Sequence, residues 1–255
     1  MSILAIFNQK GGVGKTTTAV NLAATLARHG RPPCGIDLDP QAQYSAISGV
    51  RAADGDATVL AVFQRNRPLR ELIVASNNGA NIIPAHLELS KVDTLFGKGY
   101  NIVNRLNTAL RAENFVDDTR PVLIDCSPLI GVLALNAIFA CQGVIIPVSA
   151  DHLSARAALQ TEKTLRALEV VLKRRVPRRY LLTRFDTRRR MAWEVHQMLE
   201  EKFGLEVCRT KIAENVSLAE SPAHNKTVFE HAPNSRGALD YDALLAELLA
   251  DDFIA

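Results

Sequence analysis

The sequence feature that most constrains the fold is a glycine-rich stretch near the start of the chain, Lys10-Gly11-Gly12-Val13-Gly14-Lys15-Thr16-Thr17. A short apolar run precedes it, and a segment with the apolar periodicity of a helix follows it. Strand, glycine-rich turn and helix, in that order, form the context of a phosphate-binding loop. The backbone N–H groups of such a loop and the positive end of the next helix both favour an anion. The predicted phosphate-binding residues are Gly11, Gly12, Val13, Gly14, Lys15, Thr16 and Thr17.

The loop departs from the common form of this motif. The common form has glycine at position 9, which is Gln9 here, and a second lysine, Lys10, stands at the head of the loop. A glycine turn that happens to precede a helix is the alternative, and the flanking strand, the flanking helix and both lysines argue against it. The pattern K-G-G-x-G-K-[ST] resembles the deviant Walker A loop of the ParA/MinD family of P-loop ATPases.

Short runs rich in Val, Ile and Leu alternate with helix-like segments along the chain. Such alternation predicts an α/β fold with a mostly parallel sheet flanked by helices on both faces. Because no repeat or linker interrupts the pattern, residues 1–255 are expected to form a single P-loop ATPase domain. The predicted strands are 2–7, 35–38, 81–84, 121–125, 143–148, 180–183 and 205–208, and the predicted helices are 15–29, 88–112, 153–175, 188–203 and 236–250.

Acidic residues end two of the predicted strands. Asp125 closes an apolar run, and Asp37 and Asp39 lie at the end of the second strand. Since ligands gather at the carboxyl ends of the strands in an open α/β sheet, these acids are expected beside the phosphate loop. We predict that Thr16, Asp37 and Asp125 hold Mg²⁺. The alternatives are that Asp125 merely begins a loop and that the acids of the second strand form an ordinary turn.

The resemblance to the ParA/MinD family covers nearly the whole chain. Residues 125–137 look like the second switch region of that family, and residues 215–222 look like its C-terminal signature. The resemblance implies catalytic roles for Lys10, Lys15 and Asp39. Lys15 would reach the β- and γ-phosphates, and Asp39 would position the attacking water.

For Lys10, the resemblance implies a reach across a two-fold interface to the nucleotide of the partner. ATP would then be sandwiched in a homodimer that loosens after hydrolysis. A lysine exposed to solvent at the edge of the loop is the alternative. At residues 213–214 the family often has Pro-Arg where this chain has Ala-Glu, so any contact made by that arginine is in question.

The base-binding end of the site is predicted from strand order alone. The strand 180–183 is expected to end beside the phosphate loop, which nominates Thr183 and Arg184 as cofactor-binding residues. The loop 212–216 is expected to lie close to them.

Basic residues are concentrated in one segment of the chain. The net charge is +3, but residues 151–211 hold 15 Lys and Arg against 8 Asp and Glu, and the remainder holds 15 against 19. Such a segment is a candidate footprint for the phosphate backbone of nucleic acid, and a solvated charged face is the alternative. The candidate DNA-binding residues are Arg174, Arg175, Arg178, Arg179, Arg188, Arg189 and Arg190.

The composition argues against a membrane protein. The chain has no run of about 18 apolar residues, and its first strand leaves no room for a signal peptide. The final segment, residues 240–255, is acidic and has no Lys or Arg, so anionic lipid would repel it.

The four cysteines form no C-x-x-C pair and are expected to be buried in a reducing cytosol, with a metal or iron–sulfur site as the alternative. We expect a cytoplasmic, nucleoid-associated protein with no membrane partner.

Two hypotheses about function follow. The first is a ParA-type ATPase with ATP and Mg²⁺ as cofactors, which forms an ATP-dependent homodimer on non-specific DNA and positions a plasmid, a chromosome or a protein assembly. A ParB-like or cargo adaptor protein would stimulate its hydrolysis. The second is a metabolic ATP-dependent ligase or a redox ATPase on the same scaffold. The six histidines are scattered through the sequence and form no second catalytic cluster, which favours the first hypothesis.

Overall fold

One sheet organises the computed structural model, which describes residues 3–97, 99–115 and 120–254. The strands are β1 (Ile3–Ile6), β2 (Cys34–Leu38), β3 (Val74–Ala75), β4 (Asn81–Ile83), β5 (Val122–Cys126), β6 (Gly143–Ser149) and β7 (Arg178–Thr183). Their order in the sheet is β3-β4-β2-β5-β1-β6-β7, and every neighbouring pair is parallel except β3 and β4. The predicted α/β class with a mostly parallel sheet is confirmed.

Helices connect the strands. The α-helices are α1 (Lys15–Arg28), α2 (Gln43–Ile47), α3 (Leu60–Arg65), α4 (Val92–Phe96), α5 (Tyr100–Val103), α6 (Arg105–Ala112), α7 (Val132–Ala140), α8 (His152–Leu172), α9 (Arg190–Phe203), α10 (Val216–Glu220), α11 (Val228–His231) and α12 (Arg236–Ala250). Short 3₁₀ turns cover Gly55–Ala57, Leu69–Leu72, Leu87–Lys91, Gly204–Glu206 and Ser221–His224. Within the described residues, no helix combines the length and the apolar character needed to cross a bilayer.

The central strands are apolar throughout because the sheet is covered on both faces. Alternate side chains of a strand point to opposite faces. Ile3 and Ala5 of β1 belong to the hydrophobic cluster that includes α7. Leu4 and Ile6 belong to the cluster that includes α1 and α12. The helices on both faces therefore agree with the prediction, and the arrangement fixes the carboxyl ends of β1, β2 and β5 along one edge.

Two predicted elements are wrong. The predicted helix 88–112 is a 3₁₀ turn followed by α4, α5 and α6, and the first break falls at Gly97, whose φ of 64° ends α4. The predicted strand 205–208 is a 3₁₀ turn at Gly204–Glu206, with one parallel bridge from Val207 to Tyr180. Ser2 of the predicted first strand and Lys98 of the predicted helix lie outside the described residues. The assignment of residues 1–255 to a single domain stays a prediction.

Candidate nucleotide site

The loop between β1 and α1 has the backbone that its glycines predict. Gly12 and Gly14 have φ angles of 74° and 89°, in the left-handed region that favours glycine. Gly14 is the N-cap of α1 and supplies no side-chain cap, so the first N–H groups of the helix remain available to a ligand. Thr16 and Thr17 lie in that first turn. An anion bound here would meet backbone donors and the positive end of α1 together.

The two lysines of the loop point in different directions. Lys15 is buried, and its Nζ donates to the carbonyl oxygen of Lys10 at 2.8 Å, inside the loop. Burial lowers the pKa of Lys15, although Asp125 nearby acts in the opposite sense. Lys10 turns outward, and its Nζ donates to Asp151 Oδ1 at 3.0 Å and to Ser154 Oγ at 2.8 Å. Lys15 therefore points into the loop, whereas Lys10 points away from it toward the start of α8.

Asp125 has the environment of a cation ligand. It is fully buried, and neither of its carboxylate oxygens has a hydrogen-bond partner of normal geometry within the described residues. Burial, and then the charge of Asp37, raises the pKa of Asp125, while the nearby Thr16 hydroxyl acts to lower it. A buried carboxylate without partners is costly unless a cation compensates it. Asp125 and Thr16 thus fit the predicted Mg²⁺ site.

Asp37 lies beside Asp125 because β2 and β5 are parallel neighbours and these two residues are in register. The Oδ1 atom of Asp37 accepts from the backbone of Asp39 at 3.1 Å, and its Oδ2 accepts from the backbone and the hydroxyl of Ser45 at 2.9 and 2.7 Å. Burial raises its pKa to about 6. These contacts give Asp37 the task of holding the loop that carries Asp39, and its role as a direct metal ligand stays a prediction.

A cavity of about 800 Å³ opens above the loop and joins the predicted residues. Asp39 and Ser127, which follow β2 and β5, line it on the side of the predicted metal site, and Ile212, which lies alongside β7, lines it on the other side of β1. Its volume lies in the range of small-molecule sites. The predicted Asp39, Lys15 and Thr16 thus meet in one place, as their positions at the strand ends implied.

Thr183 and Arg184 lie at the second end of the cavity, as predicted from strand order. Thr183 is buried, and its hydroxyl donates to the carbonyl of Val13 at 2.9 Å, so it holds the phosphate loop. Arg184 has a φ of 52°, an uncommon angle for a residue with a side chain. Whether these two residues contact the base stays a prediction.

Comparisons with known proteins decide the family. A family model described as an AAA domain matches residues 1–176. The chromosome-partitioning ATPase Soj of Thermus thermophilus is 38% identical over 97% of this chain and 95% of its own length. The chain belongs to the ParA/MinD family of P-loop ATPases.

Solved structures resemble this ParA/MinD chain over nearly its whole length. A cobyrinic acid a,c-diamide synthase of Mycobacterium smegmatis, crystallised with an ATP analogue and magnesium, is 26% identical with a TM-score of 0.83, covering 98% of this chain and 94% of its own. McdA of Cyanothece, in its apo form, is 19% identical with a TM-score of 0.85, covering 97% and 99%. The latter likeness concerns the fold alone.

The predicted DNA-binding arginines of this ParA/MinD protein do not form one patch. Arg174 and Arg175 precede β7, whereas Arg188 and its two successors follow it. The strand separates the two groups by roughly 17 Å, at about 3.3 Å per residue. Arg188, Arg189 and Arg190 lie at the carboxyl edge of the sheet, which is the edge of the nucleotide cavity. Arg174 donates to the carbonyl of Cys141 at 2.6 Å at the opposite edge.

The inclusion of Arg178 among the DNA-binding residues is corrected by its burial. Its side chain is only 2% exposed. The guanidinium donates to Glu162 at 2.7 Å and to the carbonyl of Val176 at 3.0 Å, and it also pairs with Glu169. Arg178 therefore stabilises the contact between α8 and β7 and presents no surface to a phosphate.

Arg179 is also largely covered. It lies over the Phe253 ring at 4.8 Å and pairs with Asp251 at 3.4 Å. Arg175 is exposed and pairs with Glu206. Any DNA contact of these two residues stays a prediction.

Sequence reasoning missed several residues of the site. Asp151, the N-cap of α8, and Ser154 hold Lys10; the predicted helix 153–175 begins two residues after this cap, and the contact with Lys10 was not predicted. Asp93 accepts from the backbone of Val132 at 2.7 Å and so supports the start of α7 from another helix. The loop 212–216 lies close to Thr183 and Arg184, as predicted, and its Glu214 lines the cavity; the pairs of Glu214 with two arginines were not predicted. No local pattern predicts contacts between residues so far apart in the chain.

Proposed function

We propose that this protein is an ATP-dependent switch in which two copies enclose Mg·ATP and bind DNA without sequence preference. The observation that carries this proposal is the outward direction of Lys10 beside an inward Lys15. A compact ammonium on a flexible stem at the rim of the loop suits a reach to phosphates outside its own subunit. Lys10 would exchange its bonds to Asp151 and Ser154 for the nucleotide of the partner.

The residues around the cavity would divide the work of ATP hydrolysis. Thr16 and Asp125 would hold Mg²⁺, which neutralises the charge of the phosphates. Lys15 and the backbone N–H groups of the loop would bind the triphosphate, and Asp39 would orient the attacking water. Asp37 would keep Asp39 in place through the hydrogen bond to its backbone.

For DNA, we propose contact through Arg188, Arg189 and Arg190. The side chains of Arg188 and Arg190 are 87% and 92% exposed at the edge that carries the nucleotide. A dimer across the nucleotide face would present two such groups together, and linked weak sites bind far more tightly than either alone. Nucleoid association would follow from this contact.

The biological task we propose is the positioning of a cargo in the cytoplasm. The partner at the cargo would be a ParB-like or adaptor protein that stimulates hydrolysis and returns the dimer to monomers. The support is the 38% identity to a chromosome-partitioning ATPase over nearly the full length of both chains.

Light scattering of the purified protein tests the switch. In Mg·ATP, the Asp39→Ala variant should run as a dimer and remain on DNA, since nucleotide binds but hydrolysis fails. Lys10→Ala should bind nucleotide yet remain at the mass of one chain, and Lys15→Ala should lose nucleotide binding. A one-chain mass for Asp39→Ala at saturating Mg·ATP would refute the proposed dimer.

A metabolic ligase is the second candidate, and the 26% identity to a diamide synthase is the observation that favours it. The cavity extends past Asp39 to Leu87, Ser90 and Leu129, where an acceptor would have to bind. ATP consumption that requires a small carboxylic acid, with no effect of DNA on mass or turnover, would select this candidate.

A further inference from the structure

The exposed arginines beside the nucleotide cavity already carry ion pairs. Arg188 donates to both oxygens of Asp186 at 2.9 Å, and Arg190 pairs with Glu194 at 2.8 Å. The bonds from Arg188 lower the pKa of Asp186 to about 2. These arginines belong to a group of charged side chains, here called the basic cluster, which comprises Arg184, Arg188, Arg189 and Arg190 with Asp186, Glu194 and Glu214. Its four arginines and three carboxylates leave a net charge of +1.

Glu214 has a special place in this cluster because it also lines the nucleotide cavity. One of its oxygens lies 3.4 Å from Arg184, and the other lies 3.2 Å from Arg189. Arg189 reaches Asp186 as well, at 3.3 Å. Both distances from Glu214 exceed the 2.7–2.9 Å that is usual for charge-assisted hydrogen bonds, so Glu214 holds its arginines less tightly than Asp186 holds Arg188 or Glu194 holds Arg190. Glu194 belongs to α9 and is not among the residues that line the cavity.

The backbone around Glu214 forms the wall of the cavity end that lies away from the metal site. The N–H of Ile212 donates to Leu182 at 2.9 Å, and the N–H of Glu214 donates to Phe185 at 3.2 Å, so this strip continues alongside β7. Ile212, Ala213 and Glu214 all line the cavity. With the triphosphate on the loop, the ribose and the base must extend toward this wall, where a carboxylate can accept from ribose hydroxyls or an exocyclic amino group.

We propose that Glu214 is a clasp between the nucleotide cavity and the basic cluster. In the open clasp its carboxylate contacts the bound nucleoside, and Arg184 and Arg189 are released toward DNA phosphates. In the closed clasp it holds both arginines and keeps the cluster close to neutral. The DNA half of this inference rests on the proposed function, whereas the link from Arg189 through Glu214 to the nucleotide does not.

The first test measures Mg·ADP binding by calorimetry, without DNA. Arg189→Ala removes a competitor for Glu214 and should tighten Mg·ADP binding by about 5-fold, the lower end of measured couplings between sites. Arg190→Ala is the matched control, since it pairs with Glu194, which does not line the cavity, and it should leave the affinity unchanged. Equal affinities for the two variants would overturn the clasp.

The second test measures binding to random-sequence duplex DNA in a Lys10→Ala background, where one subunit acts alone. Glu214→Gln should strengthen nucleotide-free binding by about 5-fold and remove any further effect of a non-hydrolysable ATP analogue. Glu194→Gln, which frees Arg190, should strengthen binding equally with and without nucleotide. If Glu214→Gln behaves like Glu194→Gln, the clasp is wrong.

The two proposals fail in different ways. If the parent protein binds no DNA in any nucleotide state while Arg189→Ala still tightens Mg·ADP binding, the clasp stands and DNA binding falls. If the parent protein binds DNA with ATP while both variants of the first test match it, DNA binding stands and the clasp falls. All the substituted residues are exposed or half-exposed, so each variant should keep the fold. Thermal unfolding of each variant checks this.

Discussion

At the scale of single residues, the site is built around two buried carboxylates on neighbouring strands. Asp37 and Asp125 are both fully buried and in register across β2 and β5. Burial raises the pKa of both carboxyls, and the charge of Asp37 raises the pKa of Asp125 further. Without a cation, these carboxyls have higher pKa values in the folded protein than in the unfolded chain. Their protonation at lower pH therefore stabilises the folded state.

We predict that the metal-free protein becomes more stable as the pH falls from 7.5 to 5. The pKa of Asp37 is about 6 in the folded state, against 3.8 as its ordinary value, so protonation in this range favours the folded state. The gain is roughly 1 kcal/mol at 1.36 kcal/mol per pKa unit, or about 2–4 °C in Tm for a chain of this size. Differential scanning fluorimetry in EDTA measures it.

The controls for this prediction isolate the site. Asp37→Asn should flatten the rise, and Asp252→Asn, at an exposed position, should preserve it. Excess Mg²⁺ should also flatten the rise, because the cation binds the deprotonated acids. A Tm that falls steadily from pH 7.5 to 5 in EDTA would show that the carboxylates are not protonated in the folded protein.

At the scale of elements, the helix that follows the Asp39 loop is anchored by one aromatic residue. Tyr44 of α2 is fully buried, and its hydroxyl has no hydrogen-bond partner within the described residues. The ring lies against Gly35 of β2, where an added Cβ would come within 2.3 Å of the hydroxyl and 2.6 Å of the ring carbon that bears it. The glycine in this strand is therefore required by the position of α2.

We predict that Gly35→Ala destabilises the protein by about 1–3 kcal/mol through overpacking. Tyr44→Phe should be neutral or stabilising because it removes an unpaired buried hydroxyl. It should not rescue Gly35→Ala, since the ring carbon remains too close. Urea unfolding measures all three variants, and Gly99→Ala, which has open space around it, is the control. A Gly35→Ala protein of unchanged stability would contradict the packing.

The contact between α8 and β7 carries a second prediction. Arg178→Ala should cost about 3–5 kcal/mol, because Glu162 and Glu169 lose the buried guanidinium that they share and Glu162 keeps only the exposed Arg166. Arg175→Ala, which breaks an exposed pair, should cost less than about 1 kcal/mol. Denaturant unfolding gives both values. An Arg178→Ala protein with full stability and weakened DNA binding would instead place Arg178 on the DNA surface.

These elements show which parts of the molecule the sequence predicts. The phosphate loop and Asp125 were predictable because the spacing of glycines and the end of an apolar run are local properties. The burial of Arg178 was not, since an arginine at the start of a strand resembles a surface residue until Glu162 of α8 is seen beside it. The bond from Lys10 to Asp151 joins residues 141 positions apart, beyond the range of any sequence pattern.

At the scale of the whole molecule, nucleotide and proposed DNA contacts share one edge of the sheet. β7 ends at Thr183, which holds the phosphate loop, and the chain then turns through the basic cluster into α9. Trp193, in the first turn of α9, packs edge-on against Phe185 at 5.1 Å and is 47% exposed. It is the one tryptophan of the sequence. Its emission therefore reports on this edge alone.

We predict that duplex DNA changes the emission of Trp193 in the Mg·ATP-bound Asp39→Ala protein. The ring neighbours Arg189 and Arg190 in sequence, so phosphates bound there would alter its solvent exposure and local field. Glutamate at positions 188–190 should abolish the change and leave the ATP-dependent mass intact, because these residues lie outside the phosphate loop. Glutamate at positions 174 and 175 should leave the change in place, because that pair lies beyond the opposite end of β7. Emission that stays constant while labelled DNA is demonstrably bound would move the DNA surface to another part of the molecule.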